Sequence, residues 1–320
     1  MNAATLGLFL LGFAMLVGGA QFLVRGASSL ALRLGVTPLV VGLTVVAYGT
    51  SAPEAAVSWR AALAGQADIA LGNVVGSNIL NVLLILGGSA LIAPLAVSRR
   101  LVRVDVPILL VLSAAVFGVA FSGSIGRGTG AVLLGLAVVY TWFTLTESRR
   151  TDPAEVRSEL EAAAGSPAGS LGLSLGLVAA GLLALVVGAR WLVEAAVGLA
   201  RSMGVSELVI ALTIVALGTS LPEVATSFVA AARGQRDIAV GNVVGSNIFN
   251  LVVALGGAAA LSPSGVAVSP AALRFDLPVM LGVAIVCLPL LASGRRLDRL
   301  EGALLLLAYG VYTASLMGLP

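Results

Sequence analysis

Two short stretches hold groups that can act together. "GTSAPE" runs from Gly49 to Glu54 and "GTSLPE" from Gly218 to Glu223. In each, a threonine and a serine stand four and three residues before a glutamate, so all three share one face of a helix. "GNVVGSNILN" (Gly72–Asn81) adds Asn73, Ser77 and Asn81 at i+4 steps, and "GNVVGSNIFN" (Gly241–Asn250) adds Asn242, Ser246 and Asn250. Pro53 and Pro222 have no N–H, so the carbonyls of Gly49 and Gly218 lose their helical partners. Carbonyls near Ala47 and Thr50, and near Ala216 and Thr219, become candidate ligands. Together the residues outline a cage of oxygen donors with two carboxylates, which suits a hard cation such as calcium. The charge of Glu54 and Glu223 matches one divalent ion or two monovalent ions. Histidine is absent and the one cysteine, Cys287, lies in an apolar run. Imidazole catalysis, a cysteine metal site and a disulfide framework are thereby excluded.

The elements that carry these groups are apolar. Of 320 residues, 59% are hydrophobic and 10% charged, where a soluble domain has about 25% charged. Mean hydropathy is +1.08. A membrane-spanning helix needs about 20 mostly apolar residues. Ten such segments can be drawn, at 3–26, 36–64, 67–92, 104–122, 128–146, 172–200, 207–232, 236–261, 274–292 and 299–318. The fold class is an all-α polytopic membrane protein. The start is read as the first span and not as a cleaved signal peptide. A carboxylate at a helix centre in a bilayer costs at least about 2.5–3.5 kcal/mol. One glycine–proline motif is as well explained by a kink, and one buried glutamate by packing as a neutral acid. Two of each, at matched positions, point to function.

The chain is written twice. Leu39–Gly88 aligns without gaps to Leu208–Gly257, with 32 of 50 positions identical and a constant offset of 169. The polar positions match best, so shared apolar composition does not explain the likeness. "GAQFLV" (Gly19–Val24) and "GARWLV" (Gly188–Val193) continue it, as do "RVDVP" (Arg103–Pro107) and "RFDLP" (Arg274–Pro278). The expected organisation is a first five-helix repeat over 1–146, a linker over 147–170 and a second repeat over 171–320. Five spans is odd, so the second repeat enters the membrane from the opposite side, as in many transporters. With the N-terminus outside, thirteen of the 18 arginines fall on the cytoplasmic side and five outside, in line with the positive-inside rule. Both termini are then extracellular. The net charge of +3 is read as these loop arginines and not as a nucleic-acid surface. The linker has five acids but no EF-hand pattern, so it is read as a solvated connection. Asp68 and Asp237 are expected to be N-caps, Arg103/Asp105 and Arg274/Asp276 interfacial anchors or ion pairs, and Gly72 and Gly76 a stripe for close helix approach.

The paired motifs resemble the α1 and α2 repeats of the sodium/calcium exchangers, in the cation/calcium antiporter superfamily, and the likeness extends over nearly the whole chain. The resemblance implies ten helices, with the second, third, seventh and eighth forming the ion-binding core and the first and sixth sliding across it. It implies calcium ligation by Glu54, Glu223 and the carbonyls of Thr50 and Thr219. It implies sodium sites at Ser51, Ser77, Ser220, Ser246, both glutamates and the carbonyls of Ala47 and Ala216, with Asn81 and Asn250 lining the centre. Asparagine at both central positions, as in potassium-independent exchangers, counts against potassium transport. The expected function is a non-enzymatic secondary antiporter of the cell membrane. It would exchange sodium for calcium by alternating access, normally extruding calcium and working as a monomer. Its partners are inorganic cations and the lipid bilayer, and it needs no organic cofactor and no nucleic acid. A proton-coupled cation antiporter and a passive cation channel are the alternatives.

Overall fold

The computed structural model describes residues 3–148, 170–203 and 216–316. Its helices are α1 (Ala3–Leu34), α2 (Pro38–Thr50), α3 (Ala52–Leu63), α4 (Ala67–Ile92), α5 (Leu101–Ala120), α6 (Arg127–Ser148), α7 (Leu171–Ser202), α8 (Ala216–Thr219), α9 (Leu221–Ala232), α10 (Arg236–Leu261), α11 (Ala272–Ala292) and α12 (Arg299–Leu316). Seven of these are long and apolar enough to cross a bilayer singly. α2 and α3 together make an eighth candidate, bent by 46°. Of the expected span 207–232, residues 207–215 lie outside the described residues, and so do linker residues 149–169.

α1 runs through Arg25 to Leu34, eight residues beyond the expected end. A charged residue does not stop a helix. Gly35 does, at φ +63°, with Pro38 soon after. α1 and α7 lie antiparallel along a line of glycines. A Cβ added to Gly12, Gly19 or Gly26 would come within 2.8–2.9 Å of the α7 backbone near Gly188, Gly181 and Ser174 respectively. The bare glycines let the two backbones touch. Ser29 and Ser174 add a hydroxyl pair at 2.8 Å.

α4 and α10 are the most enclosed helices: 72% and 94% of their apolar windows are buried, against 28–33% for α1, α5, α6, α7 and α11. Both widen into a π-helical turn, over Asn81–Leu86 and Asn250–Leu255. Such turns cluster at functional sites. Trp59 of α3 packs on Gly257 and donates its indole N–H to the carbonyls of Val253 and Ala254 at 3.2 and 3.1 Å. Phe228 of α9 packs on Gly88 in the same way, without an N–H to give.

Two short ladders tie the loops. β1 (Leu95–Ala96) pairs antiparallel with β4 (Arg296–Leu297), and β2 (Ser124–Ile125) with β3 (Val266–Ala267). β1 precedes α5 and β2 follows it, so the two ladders lie at opposite ends of that helix. α3 and α9 each end in a turn with glycine at positive φ, Gly65 at 73° and Gly234 at 74°. Gln66 N bonds back to Ala61 O and Gln235 N to Ala230 O, both at 2.8 Å, the pattern of a Schellman cap. This turn corrects the expected caps. Gln66 and Gln235 hold the N-cap positions of α4 and α10. Asp68 and Asp237 sit in the first turn, where their charge still favours the helix N-terminus.

Candidate cation site

The bend between α2 and α3 falls at Ser51, and its counterpart between α8 and α9 at Ser220. Ser51 N still reaches Ala47 O at 3.0 Å, and the next rung crossing the bend is Ala55 N to Ser51 O at 3.2 Å. Pro53 leaves the carbonyl of Gly49 without a helical donor. The break sets Glu54 and Glu223 in the first turn of new helices, pointed into the protein. Each is 1% exposed.

The two halves hold each other's carboxylates. Ser51 Oγ donates to Glu223 Oε1 at 2.7 Å, and Ser220 Oγ to Glu54 Oε1 at 2.9 Å. Ser77 Oγ lies 3.3 Å from Ser220 Oγ. The second oxygen of each glutamate is buried without a hydrogen-bond partner, and so are Asn81 Oδ1, Asn250 Oδ1, Ser246 Oγ and Thr219 Oγ1. Buried polar atoms are nearly always paired. Six unpaired oxygens on these motif residues, two of them from carboxylates, can instead satisfy a hard cation. Among the described residues no group of three or more His, Cys, Asp or Glu comes together that could hold a metal ion. The only charges the site can bring to a cation are therefore those of the two glutamates.

Several expected residues take other places. Asn73 Nδ2 donates to Ser58 Oγ at 2.9 Å and to the Glu54 carbonyl at 3.0 Å. Asn242 Nδ2 donates to Ser227 Oγ at 2.9 Å and to the Glu223 carbonyl at 3.5 Å. These asparagines brace the glutamate backbones and do not face the cage. Thr50 Oγ1 points to Asn242 Oδ1 at 3.1 Å. The Ala47 carbonyl already accepts from Ser51 N and, at 3.4 Å, from Thr50 Oγ1. Ser220 N bonds to Leu217 O at 3.2 Å, one residue later than the rung from Ser51 to Ala47. In the second repeat the glycine stripe approaches another helix, and the segment that mirrors that helix lies outside the described residues. Cβ atoms on Gly241 and Gly245 would strike the Leu39–Leu43 backbone, whereas Gly72 and Gly76 meet nothing within 4 Å among the described residues.

Sequence reasoning missed Asn78, Asn247, Ser58 and Ser227. Asn78 and Asn247 are 2% exposed and exchange amide bonds with each other and with Asn81 and Asn250. They fall off the i+4 stripe. Their signal was identity of a polar residue between the two copies. Outside the cage, Asp105 is paired with Arg100 at 3.7 Å, not with Arg103, and accepts from Tyr140 at 3.0 Å. Asp276 accepts from Tyr312 at 3.1 Å. Both acids are fixed beside tyrosines of the next helix.

Comparison with known proteins places this geometry. The family model described as sodium/calcium exchanger protein matches residues 4–146 and 173–318. The inner membrane protein YrbG of Escherichia coli is 39% identical over 286 residues, covering 87% of this chain and 86% of YrbG. The sodium/calcium exchanger MaX1 of Methanosarcina acetivorans is 31% identical, covering 94% of this chain and 95% of MaX1. Among solved structures, the sodium-calcium exchanger NCX_Mj soaked with Na+ and Ca2+ superposes with a TM-score of 0.84 at 30% identity, covering 99% of both chains. A model match over both halves, relatives that align nearly end to end and a shared fold agree: this multi-pass membrane protein belongs to the sodium/calcium exchanger family.

Proposed function

We propose that the protein is a secondary antiporter that exchanges sodium for calcium across the cell membrane by alternating access. The observation that carries this is the crossed pair of serine–glutamate bonds between halves, with the buried unpaired oxygens beside it. Glu54 and Glu223 ligate calcium with the carbonyls of Thr50 and Thr219. Ser51, Ser77, Ser220 and Ser246, the glutamates and the carbonyls of Ala47 and Ala216 serve sodium. Asn81 and Asn250 line the centre. Sodium and calcium compete for the same two carboxylates, so only one ion class occupies the cage at a time. The protein moves ions and performs no bond chemistry. Family membership and the names of its relatives support this reading.

The architecture we propose is ten spans in two inverted repeats, 1–146 and 171–320, joined by the linker 147–170. The strand ladders support the inversion. β1 and β3 occupy matching places in the two repeats, as do β2 and β4, yet β1 pairs with β4 and β2 with β3. Equivalent loops therefore lie at opposite ends of the molecule. The arginine distribution supports termini on the outer face. A single chain supplies both halves of the cage, which supports function as a monomer.

Calcium uptake into sodium-loaded proteoliposomes tests the reading. Uptake should stop when the sodium gradient is collapsed. Uptake that follows a pH gradient instead would mean proton coupling, and uptake without any counter-ion would mean a channel.

A further inference from the structure

The asparagine cluster beside the cage has a fixed polarity. Asn78 Nδ2 lies 3.3 Å from the backbone carbonyl of Asn247, and Asn247 Nδ2 lies 3.2 Å from the carbonyl of Asn78. A carbonyl only accepts, so the NH2 end of each side chain must face it. The Oδ1 of each is then turned outward as an acceptor. Asn250 Nδ2 donates to Asn78 Oδ1 at 3.1 Å, and Asn81 Nδ2 to Asn247 Oδ1 at 2.9 Å. That leaves Oδ1 of Asn81 and of Asn250 as the free ends, and both are buried without a hydrogen-bond partner. Asn81 stands one helical turn from Ser77, which lies against the hydroxyl that holds Glu54.

We infer that Asn78 and Asn247 are positioning residues that lock the side chains of Asn250 and Asn81 with oxygen, not NH2, toward the ions. The inference rests on the cation-site reading above. A carboxamide is nearly symmetric in shape, and turned over it would present two N–H donors to a cation. The lock begins at two backbone carbonyls, so it cannot reverse without losing both bonds. It also crosses the repeats, because each asparagine sets the carboxamide that belongs to the other half.

The test is a double-mutant cycle read by radiolabelled calcium binding to the purified full-length protein in detergent. Asn78→Ala frees Asn250 to turn over, and calcium affinity should fall by about tenfold. In an Asn250→Asp background both ends of the central side chain are oxygen, so polarity no longer matters. There Asn78→Ala removes only an acceptor that would face the new carboxylate, so calcium affinity should not fall. A purely structural role for Asn78 would give the same loss in both backgrounds, and that result overturns the inference. Asn247→Ala with Asn81→Asp repeats the cycle at the mirrored position and decides the matter if Asn78→Ala does not fold. Asn78→Ser keeps a donor and an acceptor and should lose less than Asn78→Ala; an equal loss counts against the lock. Glu54→Gln separates the two levels. If it binds calcium like the parent, the site reading fails. If it loses binding while both backgrounds respond alike, only the amide lock fails.

Discussion

Among the described residues the two copies of the motif are not packed alike. Gly245 lies against α2, where an added Cβ would come within 2.6 Å of the Leu43 carbonyl oxygen; the residues that mirror Leu43 lie outside the described ones. The same contrast runs through neighbouring pairs. Asn242 is buried and bonded to Thr50, while Asn73 is half-exposed and Thr219 Oγ1 has no partner. α1 packs along α9, but α7 makes no comparable contact with α3. Ser28 of α1 donates to Gln235 at 3.2 Å, and Gln235 is buried. At the mirrored positions stand Val197, which cannot donate, and Gln66, which is exposed. Among the described residues, α1 holds the 233–235 turn, and α7 gives the 64–66 turn no comparable hold. Two nearly identical motifs thus sit in two different packings, and the cage lies between them.

This contrast can be broken or sharpened by experiment. The largest effects belong to the part that is symmetric. Glu54→Gln and Glu223→Gln should each lower sodium-dependent calcium uptake by at least about a hundredfold, since each removes half of a buried carboxylate pair. A variant that kept uptake would show that the cage is not shared. Next comes a glycine. Gly245→Val should destabilise the protein by about 1–3 kcal/mol through overpacking, seen as a lower unfolding temperature in detergent. Trp59→Phe leaves the carbonyls of Val253 and Ala254 without a donor and should cost about 1 kcal/mol. Phe228→Trp offers the first half the bond it lacks and should not cost that much. The smallest effect is Ser28→Ala, which removes one hydrogen bond at the packed end. Hydrogen exchange in the 233–235 turn should speed up by about two- to tenfold, while the 64–66 turn should be unchanged.

Much of this was legible before any coordinates. Glu54 and Glu223 stood out because a carboxylate in an apolar run needs a reason, and its repetition at a fixed offset supplied one. Pro53 and Pro222 announced the helix breaks, since a missing N–H is a local property. The i+4 stripe put Ser77 near Glu54 but misjudged Asn73, because spacing gives a face and not a partner. Asn78 was invisible to that rule: its bonds go to Asn247, 169 residues away, and only the tertiary fold brings them together. The N-caps were misplaced for a local reason. The glycine turn at Gly65 delivers the chain straight into α4, so Gln66 takes the capping position before Asp68 is reached. No propensity tells that α1 holds one turn and α7 does not hold the other, since both turns are encoded by nearly the same residues.

The glycine line between α1 and α7 has a consequence for leakage. Its contacts recur every seven residues on α1, from Gly12 to Gly26, over about 21 Å of helix. Backbones in such contact have no side chains to yield, so neither helix can tilt away from its neighbour. The pair is expected to move as one body. In the alternating access proposed above, barriers on two separate helices could lift together and leave an open path for ions. Two barriers carried on one body would instead open in turn, and the proposed exchanger would not leak.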